Sequence, residues 1–319
     1  MELRHLRYFV AVAEAGSLTL AAEHTLHTAQ PSLSRQIRDL EAEVGTALLT
    51  RSARGVELTP AGRAFLDHAR LALGQVEAAS TAARRAAHPE PKTLAIGFLS
   101  GTEPQWLPAA MQAMREELPG IEITISSKHS PQLAEGLAAG RLDAAFMRAE
   151  TGYPDLAYHV LVREPLIAVL PSDHRLAARK SIGPHDLVGE TFIGMAEQAP
   201  VLEELTQAYL RKSGIDLRAA HRVEYISMAM SLVASTRGVV LLPEFTRNFL
   251  TWSVISRPLK GDAPTIDLVL GYNTVNASPL LRLFLSKTDE MIAFHGAAMS
   301  PHPASRNPFM ADGPLSPKA

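Results

Sequence analysis

Apolar and polar residues alternate with the period of an α-helix through the N-terminal part of the chain. The pattern predicts a first amphipathic helix over residues 3–15, and Gly16 is placed to end it. A second, short helix follows, which the hydroxyl of Ser17 can cap. The third helix can be capped by Thr28 and carries Pro31 in its first turn, where the missing N–H costs little. Three helices joined by tight turns are therefore expected here.

The third predicted helix has one apolar face and several polar side chains on its other faces. The apolar positions recur at i, i+4 and i+7 and are Leu33, Ile37 and Leu40. The polar side chains expected to reach outward are Gln30, Ser34, Arg35 and Arg38. A helix that is held by an apolar stripe and presents glutamine, serine and arginine has the properties needed to read the major groove of DNA. The pattern therefore predicts a DNA-binding recognition helix.

A β-hairpin is predicted directly after the recognition helix, over residues 48–58. Its tip is the basic turn Ser52-Ala-Arg-Gly55, and Val56 and Leu58 alternate with polar residues on the return strand. Three helices and a hairpin with a basic tip form a winged helix-turn-helix, which we predict for residues 1–59. Because these residues hold six arginines against seven acids, DNA binding must depend on where the arginines lie rather than on bulk charge.

Thr59 and Pro60 begin a long helix, as a capping residue followed by proline at the first helical position. Small or apolar residues recur along it at spacings of three and four: Leu66, Ala69, Leu73, Val76, Ser80, Ala83 and Ala87. Such a stripe is either the heptad seam of a dimerisation helix or the buried face of a helix that packs on its own domain. We favour a dimerisation helix over residues 60–88, because nothing nearby in the sequence would cover so long a stripe. The prolines of a hinge at 89–92 end it.

From residue 93 the pattern changes to alternating strands and helices. Strands are predicted at 93–99, 121–126, 143–147, 166–171, 191–195, 239–242 and 266–271, and helices at 104–117, 131–140, 200–212, 227–236 and 279–294. This order predicts a two-lobed α/β domain of parallel type over residues 93–296, similar to periplasmic binding proteins, with a cleft between its lobes. Lobe I is assigned to 93–163 and 267–296 and lobe II to 164–266, so that the chain crosses near 163–167 and returns near 262–267. The proline-rich stretch 297–319 is predicted to be disordered.

The composition and the absence of certain motifs narrow the class of protein. The chain has no cysteine, which excludes disulfides, thiolate metal sites and thiol nucleophiles. No apolar run approaches the roughly 18 residues that a membrane span requires, and no signal-peptide core is evident, so a cytoplasmic location is expected. Because phosphate-loop and hydrolase motifs are missing, we expect neither an enzyme nor a cofactor. His24 and His27 have metal-like spacing but no third ligand, and we interpret them as solvated.

Five segments carry a family resemblance: Glu2-Leu-Arg-His-Leu-Arg-Tyr-Phe9, Gln30-Pro-Ser-Leu-Ser-Arg-Gln-Ile37, Leu58-Thr-Pro-Ala-Gly62, Gly140-Arg-Leu-Asp143 and Gly238-Val-Val-Leu-Leu-Pro243. With them the chain resembles the LysR-type transcriptional regulators over about residues 1–295. Within that family it is similar to activators of aromatic-acid catabolism, such as the regulator of phenylpropionate/cinnamate dioxygenase genes. The resemblance implies a homodimer or homotetramer on double-stranded promoter DNA and, if the protein is an activator, contact with RNA polymerase.

The turn before the recognition helix departs from the family pattern. That pattern is Ala-Ala-x-x-Leu-x-x-Ser-Gln, whereas the stretch from Ala21 to Gln30 is one residue longer. The extra residue either rotates the recognition helix or forms a bulge that leaves the helix in place.

The resemblance and the helix geometry together assign a DNA-binding set. It comprises Thr28, Gln30, Ser32, Ser34, Arg35, Arg38, Arg51 and Arg54. Residues at the start of the recognition helix should approach base edges or phosphates, Arg38 should contact the DNA backbone, and the two arginines of the wing should reach phosphates or the minor groove. The alternative for each arginine is a solvated position or an intramolecular ion pair, such as Arg38 with Asp39 or Glu41.

The resemblance also places a small-molecule effector in the cleft between the lobes, where small ligands of such folds bind. The effector-binding set carried over comprises Ser100, Gly101, Thr102, Ser130, Arg148, Pro200 and Leu202. Family members that sense aromatic acids have a hydroxyl where this chain has Gly101, so Ser100 or Thr102 must supply it here. Hydroxyls and one arginine form a carboxylate site, and an apolar wall would hold a ring. The alternative for Arg148 is a structural pair with Glu150.

These features lead to one main hypothesis and two alternatives. We expect a DNA-binding transcriptional regulator that responds to a small, aromatic carboxylate. A cytosolic small-molecule-binding protein without specific DNA readout would explain residues 93–295 but not the helix-turn-helix. An enzyme would lack any recognisable catalytic set.

Overall fold

The N-terminal domain is a winged helix-turn-helix built around one apolar core. The computed structural model describes residues 1–52, 55–87, 92–196 and 198–299. The elements of this domain are α1 (Leu3–Ala15), α2 (Leu18–Leu20, continued by a π-helical turn at Ala21–Thr25), α3 (Gln30–Val44), β1 (Leu49–Ser52) and β2 (Gly55–Leu58). Leu33, Ile37 and Leu40 on α3 are fully buried, and Phe9 of α1 packs edge-on against Phe65 at 5.2 Å between ring centroids. The predicted apolar face of the recognition helix is confirmed.

Of the three residues predicted to end or cap the first three helices, two do so. Gly16 ends α1 in the left-handed conformation, at φ 60°, and Ser17 Oγ accepts a hydrogen bond from the Leu20 N–H at 3.3 Å. The prediction that Thr28 caps the recognition helix is wrong. The helix begins at Gln30, and the residue before it, Ala29, has extended backbone and no side chain that can cap.

The extra residue of the turn is accommodated within α2. The Leu26 N–H donates to the Ala21 carbonyl at 2.9 Å, a spacing of five residues in place of four, which is the wider turn of a π-helix. His27 then takes a positive φ of 47° before the chain enters α3. Since the apolar face of α3 remains in the core, the extra residue forms a bulge and does not rotate the recognition helix out of its packing.

Helix α4 (Pro60–Ala87) packs on its own chain along part of the predicted seam. Leu66 and Ala69 are buried in the core of the N-terminal domain, and Leu73 is partly buried against the same core. This first part of the stripe is therefore the buried face of a helix that packs on its own domain, the alternative that we had not favoured. Its physical cause is α1, which lies against α4 although it precedes it by some 50 residues. Farther along, Val76 is partly buried and Ser80 is exposed.

The C-terminal domain consists of two lobes around one continuous strand path. Its strands are β3 (Lys92–Leu99), β4 (Ile121–Lys128), β5 (Ala144–Met147), β6 (Leu156–Pro171), β7 (Phe192–Met195), β8 (His221–Val223), β9 (Val239–Pro243), β10 (Val254–Pro258) and β11 (Thr265–Asn273). Its helices are α5 (Glu103–Ala113), α6 (Ser130–Ala138), α7 (Pro200–Lys212), α8 (Ile226–Thr236), α9 (Pro279–Ser286) and α10 (Thr288–Met299). The strand order is β4-β3-β5-β11-β6-β9-β7-β8, with β10 also paired to β6. The two-lobed α/β class is confirmed.

The long strand β6 runs through both lobes. The first part of β6 pairs with β11 in lobe I, where Pro165 lies opposite Thr265, and its second part pairs with β9 and β10 in lobe II, where Leu166 lies opposite Pro243. All three pairings are antiparallel, so the lobes, which were expected to be of parallel type, have mixed sheets. Only β3–β4, β3–β5, β7–β8 and β7–β9 are parallel among the ladders of the described residues.

Other differences from the predicted elements follow from local chemistry. The helix predicted over 279–294 is two helices, because the Thr288 hydroxyl donates to the Leu285 carbonyl at 2.7 Å and α10 starts at that residue. Strands β8 and β10 were not predicted, since they are short and carry polar residues at a sheet edge. Residue 88 of the predicted dimerisation helix, residues 89–91 of the predicted hinge and 300–319 of the predicted tail lie outside the described residues, and residue 92 of the predicted hinge begins β3. Within the described ranges, no helix has the length and apolar character to cross a membrane.

Candidate nucleic-acid interface and ligand cleft

The outward face of α3 carries the polar side chains expected to meet DNA. Ser32, Arg35 and Arg38 are exposed, whereas Gln30 is half-buried. The Arg35 side chain is 79% exposed and reaches Asp39 only at 4.0 Å, one turn later. A pair of this kind is worth little in water and leaves the guanidinium available. Thr28 lies half-buried in the turn just before the helix.

Arg38 does not form the ion pair with Asp39 or Glu41 that was the alternative to DNA contact. Arg38 Nε donates to the backbone carbonyl of Ser34 at 3.3 Å. Glu41 instead accepts the backbone N–H groups of Leu48 and Leu49, at 2.8 and 3.0 Å, and so secures the start of the wing. The guanidinium of Arg38 therefore remains on the surface of α3 with donors to spare.

Ser34 does not reach outward, which corrects one prediction. It is only 8% exposed, and its Oγ accepts a hydrogen bond from Nη1 of Arg51 on β1 at 3.2 Å. The recognition helix and the wing are thus joined at this point, and Arg51 is held beside α3. The second arginine of the wing, Arg54, lies outside the described residues.

The cleft between the lobes is formed where three parallel strands of lobe I end and where segments of lobe II face them. Lobe I contributes residues that follow β3, β4 and β5, among them Ser100, His129, Ser130, Arg148 and Glu150. Lobe II contributes Gln198, Pro200, Leu202, Tyr225, Ile226 and Phe245. One side of the cleft is therefore polar and the other is largely apolar.

Five of the seven predicted effector-binding residues line this cleft: Ser100, Ser130, Arg148, Pro200 and Leu202. Gly101 lies beside it, since a Cβ built on this residue would be 3.7 Å from the Phe245 ring and 3.9 Å from Ile226. Thr102 does not line it. Its side chain is buried and its hydroxyl donates to the Leu99 carbonyl at 2.7 Å, so that Ser100 is the hydroxyl that can substitute at the end of the first strand.

Arg148 is buried and is the cation of the cleft among the residues that line it. One guanidinium nitrogen, Nη2, pairs with Glu164 of β6 at 2.9 Å, and the guanidinium carbon lies 6.0 Å from the centre of the Phe245 ring. Its other terminal nitrogen, Nη1, is buried without a hydrogen-bond partner in the described part of the chain. Burial lowers the pKa of Arg148, and Glu164 opposes that shift. The structural partner is therefore Glu164 and not Glu150, and one donor remains for a ligand.

Ser130 shapes the site around Arg148. Its Oγ accepts a hydrogen bond from the Arg148 backbone N–H at 2.9 Å, which connects the start of α6 to the end of β5. Because this bond is buried, it holds the chain at Arg148 in position.

Five polar residues that line the cleft were not predicted as effector-binding residues: His129, Glu150, Gln198, Glu224 and Tyr225. The His129 ring lies 4.9 Å from the Tyr225 ring across the cleft, and burial lowers the pKa of its imidazole. Burial raises the pKa of Glu150 to about 7. Their position just after the predicted strands was the available signal, because residues at the carboxyl ends of neighbouring parallel strands converge. Gln198 lies in a loop of the other lobe, and no sequence signal marked it as a cleft residue.

Comparisons with known proteins agree with this architecture. Residues 3–63 match the family of bacterial regulatory helix-turn-helix proteins of the lysR type, and residues 87–290 match the LysR substrate binding domain. The chain is 39% identical to the Hca operon transcriptional activator HcaR of Escherichia coli (strain K12), over 92% of this chain and 99% of that protein. It is 34% identical to the probable cat1 operon transcriptional activator of Acinetobacter lwoffii, over 95% of this chain and 100% of that protein.

A solved structure of similar design contains DNA. Full-length CbnR in complex with its target DNA superposes with a TM-score of 0.54 at 26% identity, over 92% of this chain and all of that one. These relatives are transcriptional regulators and not enzymes. With a DNA-binding helix-turn-helix at one end and a substrate-binding domain at the other, the chain belongs to the LysR family of transcriptional regulators.

Proposed function

We propose that this protein regulates transcription in response to a small aromatic carboxylate bound between its lobes. The observation that carries the proposal is the buried Nη1 of Arg148, a charged donor without a protein partner among the described residues. A buried, unsatisfied donor of this kind is costly, and a ligand carboxylate would satisfy it with a charge-assisted hydrogen bond. The resemblance of the sequence to activators of aromatic-acid catabolism supports the aromatic class.

The opposite wall of the cleft suits a ring. Leu202 and Phe245 are buried there, and Pro200 and Ile226 complete an apolar surface. An aryl group between these side chains would leave its carboxylate on the Arg148 side, beside the hydroxyl of Ser100. This arrangement favours a molecule with one anionic end and one apolar end over a purely polar metabolite.

We further propose that the protein acts on DNA as a homodimer or homotetramer in the cytoplasm. Two-fold symmetry would place two α3 helices in successive major grooves of an imperfect palindrome. In the part of the α4 stripe beyond Leu73, Ser80 is exposed and can take part in such a contact. Effector binding would change the arrangement of subunits and so the contacts with DNA and, for an activator, with RNA polymerase. A strict monomer in sedimentation experiments at micromolar concentration would contradict this assembly.

The direct test is a fluorescence-anisotropy titration with labelled DNA from immediately upstream of the gene for this protein. Scrambled DNA, two salt concentrations, and addition of benzoate, cinnamate or 3-phenylpropionate provide the comparisons. We expect a preference for the upstream DNA that persists at the higher salt and shifts when one of the acids is added. Equal, salt-sensitive binding to both DNAs would refute specific readout. Binding of an acid without binding of either DNA would favour a small-molecule-binding protein without DNA readout.

Arg35→Ala is expected to weaken binding to the specific DNA by roughly 1–3 kcal/mol and to leave scrambled DNA less affected, because Arg35 is the exposed arginine at the start of α3. Binding constants measured at one salt concentration test this. The matched control is Arg115→Ala, which removes one exposed arginine from the other domain. An equal loss of affinity for the specific DNA in both variants would show that Arg35 acts only through its charge and not through a specific contact.

Ser34→Ala is expected to weaken DNA binding by about 1 kcal/mol, because the serine Oγ holds the guanidinium of Arg51 beside α3. The test is a double-mutant cycle with Arg51→Ala. If Ser34 acts only by positioning Arg51, its replacement should have no further effect in the Arg51→Ala background. Additive losses would show instead that Ser34 contacts DNA itself.

A further inference from the structure

The ligand cleft holds more unsatisfied polar atoms than a simple aryl carboxylate can satisfy. In the described part of the chain, seven buried side-chain nitrogen or oxygen atoms lack a hydrogen-bond partner. Four of them belong to residues that line this cleft: Arg148 Nη1, His129 Nε2, Glu150 Oε1 and Gln198 Oε1. Buried polar atoms are normally satisfied, so their concentration in one cleft points to polar groups on the ligand.

Some of the unsatisfied atoms require a hydrogen-bond acceptor on the ligand and others require a donor. Arg148 Nη1 is a donor and matches a carboxylate. The Gln198 oxygen is an acceptor, as is the Glu150 carboxyl when it is ionised, and a carboxylate ligand has no hydrogen to give them. A ligand with only a carboxylate and a hydrocarbon ring would therefore leave both oxygens buried without partners, at a cost in affinity.

The carboxyl of Glu150 stands apart from Arg148. Among the described residues Arg148 pairs with Glu164, at 2.9 Å, and forms no ion pair with Glu150, and burial raises the pKa of Glu150 to about 7. Around Glu150 lie Tyr158, whose hydroxyl donates to the Glu150 backbone carbonyl at 3.0 Å, and Tyr153. The carboxylate and the second polar group of a ligand would thus occupy different places in the cleft.

We infer that Glu150 is a specificity-determining residue that accepts a hydrogen bond from a hydroxyl group on the ring of the effector. The preferred ligand is then a hydroxylated aryl carboxylate, with its carboxylate on Arg148 and its hydroxyl on Glu150. This inference rests on the proposed function, since it assumes that an aryl carboxylate occupies the cleft.

Charge makes the preference depend on pH. The charged and titratable groups around Glu150 in the cleft are Arg148, His129, Glu224, Tyr153 and Tyr158. Glu150 also lines a second cavity, to which α4 contributes Arg70 and α6 contributes Glu135. Burial lowers the pKa of His129, raises the pKa values of both tyrosines, and raises the pKa of Glu150 to about 7. Ionised Glu150 repels an anionic ligand but accepts a hydroxyl hydrogen more strongly than the neutral acid. The advantage of the hydroxylated ligand should therefore grow as the pH rises through about 7.

The test is calorimetric titration of the full chain with 3-phenylpropionate and with its three isomers that carry one hydroxyl on the ring. Titrations at about pH 6 and about pH 8 lie on either side of the Glu150 pKa, and a phenol stays protonated at both. We expect one isomer to bind about tenfold more tightly than the parent acid at the higher pH, with a smaller advantage at the lower pH. Glu150→Leu should remove this preference and its pH dependence, whereas Glu150→Gln, which keeps an acceptor, should retain a reduced preference without the pH dependence.

Two results would overturn the inference. One is a parent acid that binds at least as tightly as every hydroxylated isomer, and the other is a preference that persists in Glu150→Leu. In both cases the parent acid still binds, so the proposed function stands. If neither the parent nor any isomer binds wild-type protein, the aryl-carboxylate proposal fails and the inference fails with it. Thermal unfolding of each variant shows that a loss of preference does not reflect a loss of the fold.

Discussion

Replacing Arg148 with methionine is expected to weaken effector binding by about 100-fold or more, because the ligand carboxylate loses its buried charged partner. Methionine keeps much of the side-chain volume, so the cleft is not simply emptied. Titration of the effector into the purified variant measures the loss. Binding to DNA without effector should be unchanged, since Arg148 lies in the cleft of the other domain.

Two further variants separate loss of the ligand contact from loss of the fold. Arg148→Met leaves Glu164 buried without its cation, which is itself destabilising. The double variant with Glu164→Gln removes that unpaired charge and should unfold close to wild type while still failing to bind the effector. Arg163→Met is the matched control, since this exposed arginine of β6 pairs with Asp267 outside the cleft. Tight binding by the folded double variant would show that Arg148 does not hold the carboxylate.

Gly62→Ala is expected to destabilise the N-terminal domain by about 3 kcal/mol or more, by overpacking against fixed backbone. A Cβ on Gly62 would lie 1.9 Å from the Leu48 carbonyl oxygen and 3.1 Å from the Leu58 side chain. That carbonyl already accepts the Thr59 backbone N–H at 3.0 Å and its hydroxyl at 3.2 Å, so it cannot move away without breaking the junction of the wing and α4. Urea unfolding of the full chain, followed by loss of DNA binding, measures the change.

Gly120→Ala is the control for this substitution. A Cβ at that position meets no atom within 4 Å, and the residue does not require a left-handed backbone. Its effect should stay within about 0.5 kcal/mol. An unfolding midpoint of Gly62→Ala equal to that of the control would mean that the junction can relax around a methyl group.

The sequence was sufficient where function depends on local periodicity. The buried face of α3 and the wing follow from patterns within a few residues, whereas the residues of the cleft were carried over from the family resemblance. What could not be predicted depends on segments that are distant in the chain. Ser34 looked like a surface residue because Arg51, which covers it, belongs to the next element. Arg148 pairs with Glu164 rather than with Glu150, which is nearer in the sequence. The reason is that β6 lies in the same sheet as β5, with only β11 between them.

The same limit explains the α4 stripe and the missed cleft residues. A heptad pattern shows that a face is covered but does not say by what, and here α1 covers its first part. Thr102 had the right chemistry and position for a ligand contact, but its hydroxyl is used by the Leu99 carbonyl at the end of β3. His129 and Glu150 were not predicted as effector-binding residues although each follows a predicted strand, and only the packing of the two lobes shows that their polar atoms are unsatisfied.

The π-helical turn in α2 has a consequence for how this DNA-binding module can change over evolutionary time. An inserted residue here widens one turn of a helix that supports the recognition helix, and the altered geometry ends at His27 before α3 begins. The variation in length is therefore confined to α2 and separated from the outward face of α3, which is proposed to contact DNA. A lineage that gained this residue could keep its operators, and a later deletion could return the turn to ordinary α-helical spacing without an intermediate that had lost its binding site.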